Sequence, residues 1–211
     1  SDSNLCVKAY QLMKSLYNIA PVHIHLHKLI PMGAGLGGGS ADGTYTMLIL
    51  NRIYSLGLTN NRLRKLALEL GSDCPLFVEE CTQLAKGRGE LLTPMQLNLT
   101  GYYIHLVNIG IHVSTKLAFS SVTISEQVPN IGEIVQQDPQ LWKNKLSNAF
   151  EEPVFKEYDE LKKLKKKLYE NGALYASMTG SGSTVYAIYK EKPNEMFRHK
   201  EKNVVEHITK L

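Results

Sequence analysis

Long apolar runs are missing from this chain. No stretch of its 211 residues approaches the roughly 18 consecutive apolar residues of a membrane-spanning helix, and its start has no secretory-signal pattern. Cysteine is scarce: Cys6, Cys74 and Cys81 are the only three. Their odd number and their spacing match neither a disulfide framework nor a zinc or redox motif, so reduced thiols in a cytoplasmic setting are expected. Charge of one sign is not in large excess either. The 24 basic and 20 acidic residues leave a net charge of +4, which suits anionic small molecules without requiring nucleic acid. The densest basic run, Lys162, Lys163, Lys165, Lys166 and Lys167, lacks the interleaved aromatics of a nucleic-acid surface. Tryptophan occurs once, at Trp142, where packing is expected. No repeat at a solenoid period is visible.

What is present suffices for a folded chain. Hydrophobic residues make up 43%, an ordinary globular share, and the length fits one large or two small domains. Leu5, Ala9, Leu12, Met13 and Leu16 recur at helical spacing behind Ser3 or Asn4 as a cap. Residues 22–27 alternate strictly and predict a half-buried strand, with His23, His25 and His27 on a solvated face. Tyr45, Leu48, Ile49 and Ile53 predict a second helix, and Leu63, Leu66, Ala67 and Leu70 a third behind Thr59 or Asn60. Short strands are expected at Phe77–Val78, 83–85 and 102–108, short helices at 114–121 and 141–150. Leu161, Leu164 and Leu168 mark a basic amphipathic helix stopped by Gly172. Strands are expected at 173–177 and 184–189, and a final helix from about Glu195. A soft boundary near 92–101 divides the chain.

The densest feature is Pro31-Met32-Gly33-Ala34-Gly35-Leu36-Gly37-Gly38-Gly39-Ser40-Ala41, between the predicted strand and helix. Five glycines fall within residues 33–39. Bare backbone there can approach an anion closely, and the following helix adds its positive N-terminal end. Polyphosphate is the natural ligand. The familiar phosphate loops each fail on a stated residue. A dinucleotide fingerprint wants an acid about 20 residues on, and residues 55–68 hold no Asp or Glu. A Walker loop wants Gly-Lys-Ser/Thr, and Gly39 is followed directly by Ser40. The protein-kinase motifs are absent.

The run resembles the phosphate loop of the GHMP small-molecule kinases. Three further segments strengthen the likeness: Leu70-Gly71-Ser72-Asp73-Cys74-Pro75-Leu76-Phe77-Val78, Met178-Thr179-Gly180-Ser181-Gly182-Ser183-Thr184-Val185, and Gly110 with Val113-Ser114-Thr115 and Phe119. Asn148-Ala149-Phe150-Glu151 is another marker. Ile109 stands where the family has proline, and Gly43 where it has alanine.

The resemblance implies an α+β chain: a partial ribosomal-protein-S5-like half over 1–97 and a ferredoxin-like half over 98–211. It implies ATP and Mg2+, with residues 31–41 on the nucleotide and Ser40 on the metal. Asp73 would accept or orient a substrate proton, although a free aspartate, with pKa about 3.9, is a weak base. Residues Gly180, Ser181 and Gly182 would lie near phosphate, and Phe119 near a cytosine. The implied partner is a cytidine diphosphate-linked sugar alcohol, with no nucleic acid or membrane, for a monomer or weak homodimer. Homoserine- or mevalonate-type kinases, and a nucleotide-binding module without catalysis, are the alternatives. The family also carries a lysine-bearing segment ahead of the first helix. Nothing before Pro31 matches it, so a fragment with weak or no turnover is expected.

Overall fold

The computed structural model describes residues 3–120, 122, 129–196 and 204–211. Its contacts divide the chain into two units, one of Ser1–Met32 with Gly37–Gln96 and one of Gly33–Leu36 with Leu97–Leu211. Among the described residues no helix is long and apolar enough to cross a membrane.

The first unit is mainly helical. Helix α1 (Leu5–Tyr17) begins where the Asn4 side chain accepts from the Cys6 N–H, and stops at Asn18, which takes the left-handed conformation with φ 48°. Helix α2 (Gly38–Ile53) follows the glycine run. Helix α3 (Asn60–Leu70) is capped by Thr59, whose hydroxyl accepts from the Arg62 N–H. Ala9, Met13, Met47, Leu50, Leu63 and Leu66 bury one face of each helix in a common core. Gly43 is where α1 and α2 approach most demandingly. A Cβ there would lie 2.9 Å from that of Leu5, so the family's alanine does not fit this packing, and the helix propensity lost, up to about 1 kcal/mol, is the cost of the close approach.

Two strand expectations in this unit are corrected. Phe77 and Val78 lie in a 3-10 helix, Cys74–Val78, because Pro75 at its start presets a turn-compatible φ. Residues 22–27 belong to neither sheet, although their alternation is real; among the described residues they have no strand partner, and His23, His25 and His27 are exposed. A period-2 pattern makes a strand only when a neighbouring strand takes up its backbone groups. Strands β1 (Gln83–Lys86) and β2 (Leu91–Pro94) form an antiparallel hairpin.

The second unit is built on a four-stranded antiparallel sheet in the order β4-β5-β3-β6. Its strands are β3 (Tyr103–Asn108), β4 (Tyr175–Met178), β5 (Val185–Tyr189) and β6 (Val205–Lys210). Helix α4 (Thr115–Ser120) and the short α5 (Ile131–Ile134) precede a 3-10 helix, Pro139–Asn144, then α6 (Glu151–Glu157) and α7 (Asp159–Glu170). The helix expected over 141–150 is thus a 3-10 turn ahead of α6. Leu161, Leu164 and Leu168 of α7 are buried with Val107, Val154, Met178 and Val185, while Lys163 and Lys166 on its other side are over 70% exposed. Trp142 packs edge-on against Tyr175 at 5.6 Å.

The helix expected from Glu195 is also corrected. Residues 197–203 lie outside the described residues, and 205–210 form β6, whose register on β3 pairs Val205 with Asn108 and Lys210 with Tyr103. Val, Ile and Thr in that stretch suit a strand once a ladder partner is available.

One buried titratable group crosses that ladder. His105 of β3 is fully buried, with its Nε2 2.6 Å from Glu206 Oε1 of β6, and the same oxygen accepts from the Met196 N–H. Burial pushes the imidazole below its ordinary value, against the pull of Glu206. The folded chain therefore holds His105 neutral where an unfolded histidine, with pKa near 6.5, takes up a proton. This stability is complete above that value and is lost as pH falls. The urea midpoint should drop between pH 7.5 and 5.5, and His105→Gln should flatten the drop; equal slopes for both proteins would contradict the assignment.

Candidate active site

The glycine run is shared between the two units, and each share is fixed differently. In the second unit, the Ala34 carbonyl accepts from the Thr184 N–H at 3.1 Å and the Gly35 carbonyl from Thr179 Oγ1 at 2.9 Å. Gly35 has φ 75°, and a Cβ on it would sit 2.5 Å from both the Thr179 and Gly182 carbonyl oxygens. Only glycine meets both demands. The late glycine turn closes on itself as well: the Gly182 N–H donates to the Thr179 carbonyl at 3.0 Å and the Thr179 N–H to that of Thr184 at 2.9 Å. Thus the sequence-predicted Gly33, Ala34, Gly35 and Leu36 are joined with Gly180, Ser181 and Gly182.

In the first unit, Gly37 turns the chain into α2 with φ 65°, and a Cβ there would lie 2.9 Å from the Phe77 ring. One turn into α2, the Thr44 hydroxyl donates to the Cys74 carbonyl at 2.9 Å. Burial pushes the Cys74 thiol above its ordinary value, against the opposing pull of the Ser40 and Thr44 side chains. These contacts bring Gly37, Gly38, Gly39, Ser40 and Ala41 together with the turn that carries Asp73. Asp73 is exposed, and its carboxylate makes no hydrogen bond among the described residues. The β1–β2 turn flanks it: a Cβ on Gly89 would be 3.1 Å from Asp73 Oδ1.

The electrostatics favour an anion. The first turn of α2 carries no acidic residue among its opening N–H groups except Asp42 just beyond, and that carboxylate is paired with Lys28 at 2.5 Å. The Lys28 Nζ lies 3.3 Å from where a Gly38 Cβ would be. The N–H groups of residues 33–40 make no hydrogen bond to any described residue. Within the first unit, the open N–H groups of residues 37–40, the start of α2 and Lys28 are a group whose charge suits an anion.

Phe119 is 63% exposed, and its ring stands edge-on to Phe150 at 4.7 Å. Pro31 and Met32 are exposed, Met32 at 87%. Lys28, Phe77 and Thr179 were not singled out from the sequence as site residues. Lys28 had a signal, a lone cation just ahead of the glycine run. Phe77 was hidden by its strand-like neighbours, and Thr179 by a partner 144 residues away.

Comparison with known proteins adds the family. Residues 4–79 match the GHMP kinases N terminal domain, and residues 130–199 the GHMP kinases C terminal domain. The chain is 44% identical over 205 residues to the 4-diphosphocytidyl-2-C-methyl-D-erythritol kinase of Cytophaga hutchinsonii, covering 97% of this chain and 76% of that protein. It is 40% identical to the enzyme of that name from Bacteroides fragilis, covering 92% and 72%. Among solved structures, a 4-(cytidine 5'-diphospho)-2C-methyl-D-erythritol kinase matches with TM-score 0.77 and 30% identity over 89% of this chain and 69% of that one. A homoserine kinase from Cytophaga hutchinsonii shares the fold, with TM-score 0.73 and 16% identity over 99% and 75% of the two chains.

The two glycines at Gly35 and Gly39 provide a paired test of the geometry. Gly35→Ala forces a methyl group against two carbonyls and should destabilise the protein by roughly 1–3 kcal/mol, seen as a fall in Tm. At Gly39, where an added Cβ meets nothing within 4 Å, alanine should leave Tm unchanged or raise it. Equal effects at the two positions would contradict the packing described.

Proposed function

The chain belongs to the GHMP kinase family, and from that premise we propose that it transfers the γ-phosphate of ATP to the 2-hydroxyl of 4-diphosphocytidyl-2-C-methyl-D-erythritol, in non-mevalonate isoprenoid synthesis. The observation that carries the reading is the row of N–H groups over residues 33–40 that no described residue engages, in a chain 44% identical to an enzyme of that name. Main-chain donors at a helix start suit the triphosphate of ATP, which needs several donors in a small volume and no side chains in the way.

The reaction forms a bond from the substrate oxygen to the γ-phosphorus and breaks the one from that phosphorus to the β–γ bridging oxygen. ADP leaves, and the hydroxyl proton passes to Asp73. Such a transfer depends on positioning and charge neutralisation more than on covalent catalysis. Asp73 suits the task because its carboxylate is uncommitted and exposed. Gly180 and Ser181 supply further main-chain donors to phosphate in a turn that the Gly182 N–H closes, and the open face of Phe119 stacks on the cytosine.

The residues also fit Mg2+. Mg2+ is a hard ion that keeps several waters and binds largely through substrate phosphate oxygens, so it needs few protein ligands. Ser40, in the first turn of α2, is the protein oxygen that would join them. When bound, Mg2+ offsets the phosphate charge.

A substrate panel tests the assignment. The full-length gene product should form ADP with the cytidine diphosphate-linked alcohol and not with homoserine or mevalonate; the opposite preference, or ATP binding with no ADP formed from any alcohol, would overturn it. Asp73→Asn should lower kcat by about 10²- to 10⁴-fold while ATP still binds. An unchanged kcat would remove Asp73 from the mechanism.

A further inference from the structure

The polar side chain most fully engaged near the late glycine turn is one to which no role has yet been given. Asn148 Nδ2 donates to the carbonyls of both Met178 and Gly180, each at 2.8 Å, and its Oδ1 accepts from the Phe150 N–H at 2.9 Å. Both amide protons and the oxygen are thus in use. The Met178 backbone is held from its other side by Glu151, whose Oε1 accepts from the Met178 N–H at 2.8 Å and from Ser177 Oγ at 3.1 Å, while its Oε2 pairs with Lys165 at 2.6 Å. The strand β4 therefore ends between two clamps, and the glycine turn leaves from the second.

The same asparagine reaches the aromatic pair. Phe150, whose N–H it accepts, carries the ring that supports Phe119. One side chain consequently fixes the backbone on which the turn at residues 180–182 depends and the backbone that holds the Phe150–Phe119 pair. We propose that Asn148 is a positioning residue that keeps the phosphate-binding turn and the base-stacking ring in register, so that the two ends of a cytidine diphosphate ligand are received together. This rests on the function proposed above. Chemistry restricts the position narrowly. Aspartate has the same shape but turns both donors into acceptors against two carbonyls, and glutamine is one methylene too long.

The test compares Asn148→Asp with wild type in steady-state kinetics at pH 8 and pH 6, alongside binding of cytidine 5'-diphosphate by calorimetry. The variant should show a KM for the cytidine substrate raised at least about tenfold at pH 8, with a smaller change in the KM for ATP. Lowering the pH should narrow the gap to wild type, because a protonated carboxyl regains one donor. Glu151→Gln, which keeps an acceptor toward Met178, should lower Tm while leaving that KM near wild type. Should Asn148→Asp not fold, Asn148→Ser, with one donor and no charge, carries the same KM comparison. A wild-type KM in the variant at both pH values, or a fall in Tm and kcat with KM unmoved, overturns the inference and leaves the kinase reading standing. A wild-type protein that neither binds cytidine 5'-diphosphate nor phosphorylates the substrate overturns both.

Discussion

The carbonyls of Ala34 and Gly35 are engaged by Thr184 and Thr179, while the N–H groups of residues 33–40 are engaged by no described residue. This division of labour within one loop is the constraint on which the site depends. A backbone normally has its donors and acceptors paired together, and donors withheld from partners and water cost about 1–3 kcal/mol each. A row of them persists where solvent or an anion can reach it. Keeping it open requires positive φ at Gly33, Gly35 and Gly37, and at Gly35 a backbone approach that excludes any Cβ. These three glycines are thus fixed by geometry before any ligand is considered.

Each share of the loop is supported within its own unit. The second unit grips it by carbonyls, through a late turn itself held by Asn148. The first unit continues it into α2, which meets the Asp73 segment through Thr44 and, at Gly37, through the Phe77 ring. Lys28, tied to Asp42, adds positive charge beside Gly38. Most of these supports are hydrogen bonds of fixed direction, and their spacing along the chain is long: 30 residues from Thr44 to Cys74 and 32 from Asn148 to Gly180.

That spacing explains what could and could not be read from the sequence. The leucine stripe of α7, the Asn4 and Thr59 caps and the glycine run all express local rules, and each stands in the structure where periodicity and turn chemistry put it. Local rules failed where a partner decides. Residues 22–27 alternate like a strand and, among the described residues, lack one to pair with, while 205–210 were read as helix and become a strand because β3 offers a ladder. Phe77 and Val78 are β-formers overruled by Pro75. In the site, the residue types of the loop and of Asp73 were legible from the family's motifs. The reasons for Gly43 and Gly35, and the places of Lys28 and Thr179, were not, because each depends on an atom brought near only by folding.

The open amides are the point at which the account is most directly exposed. An ATP titration followed by ¹H–¹⁵N correlation spectra reads them one by one. Saturable shifts concentrated on the amides of residues 33–40, with those of the α7 helix unmoved, are the predicted result. Amides that stay still while ATP binds, or that shift no more than the rest of the chain, would contradict the claim that this backbone receives the phosphates.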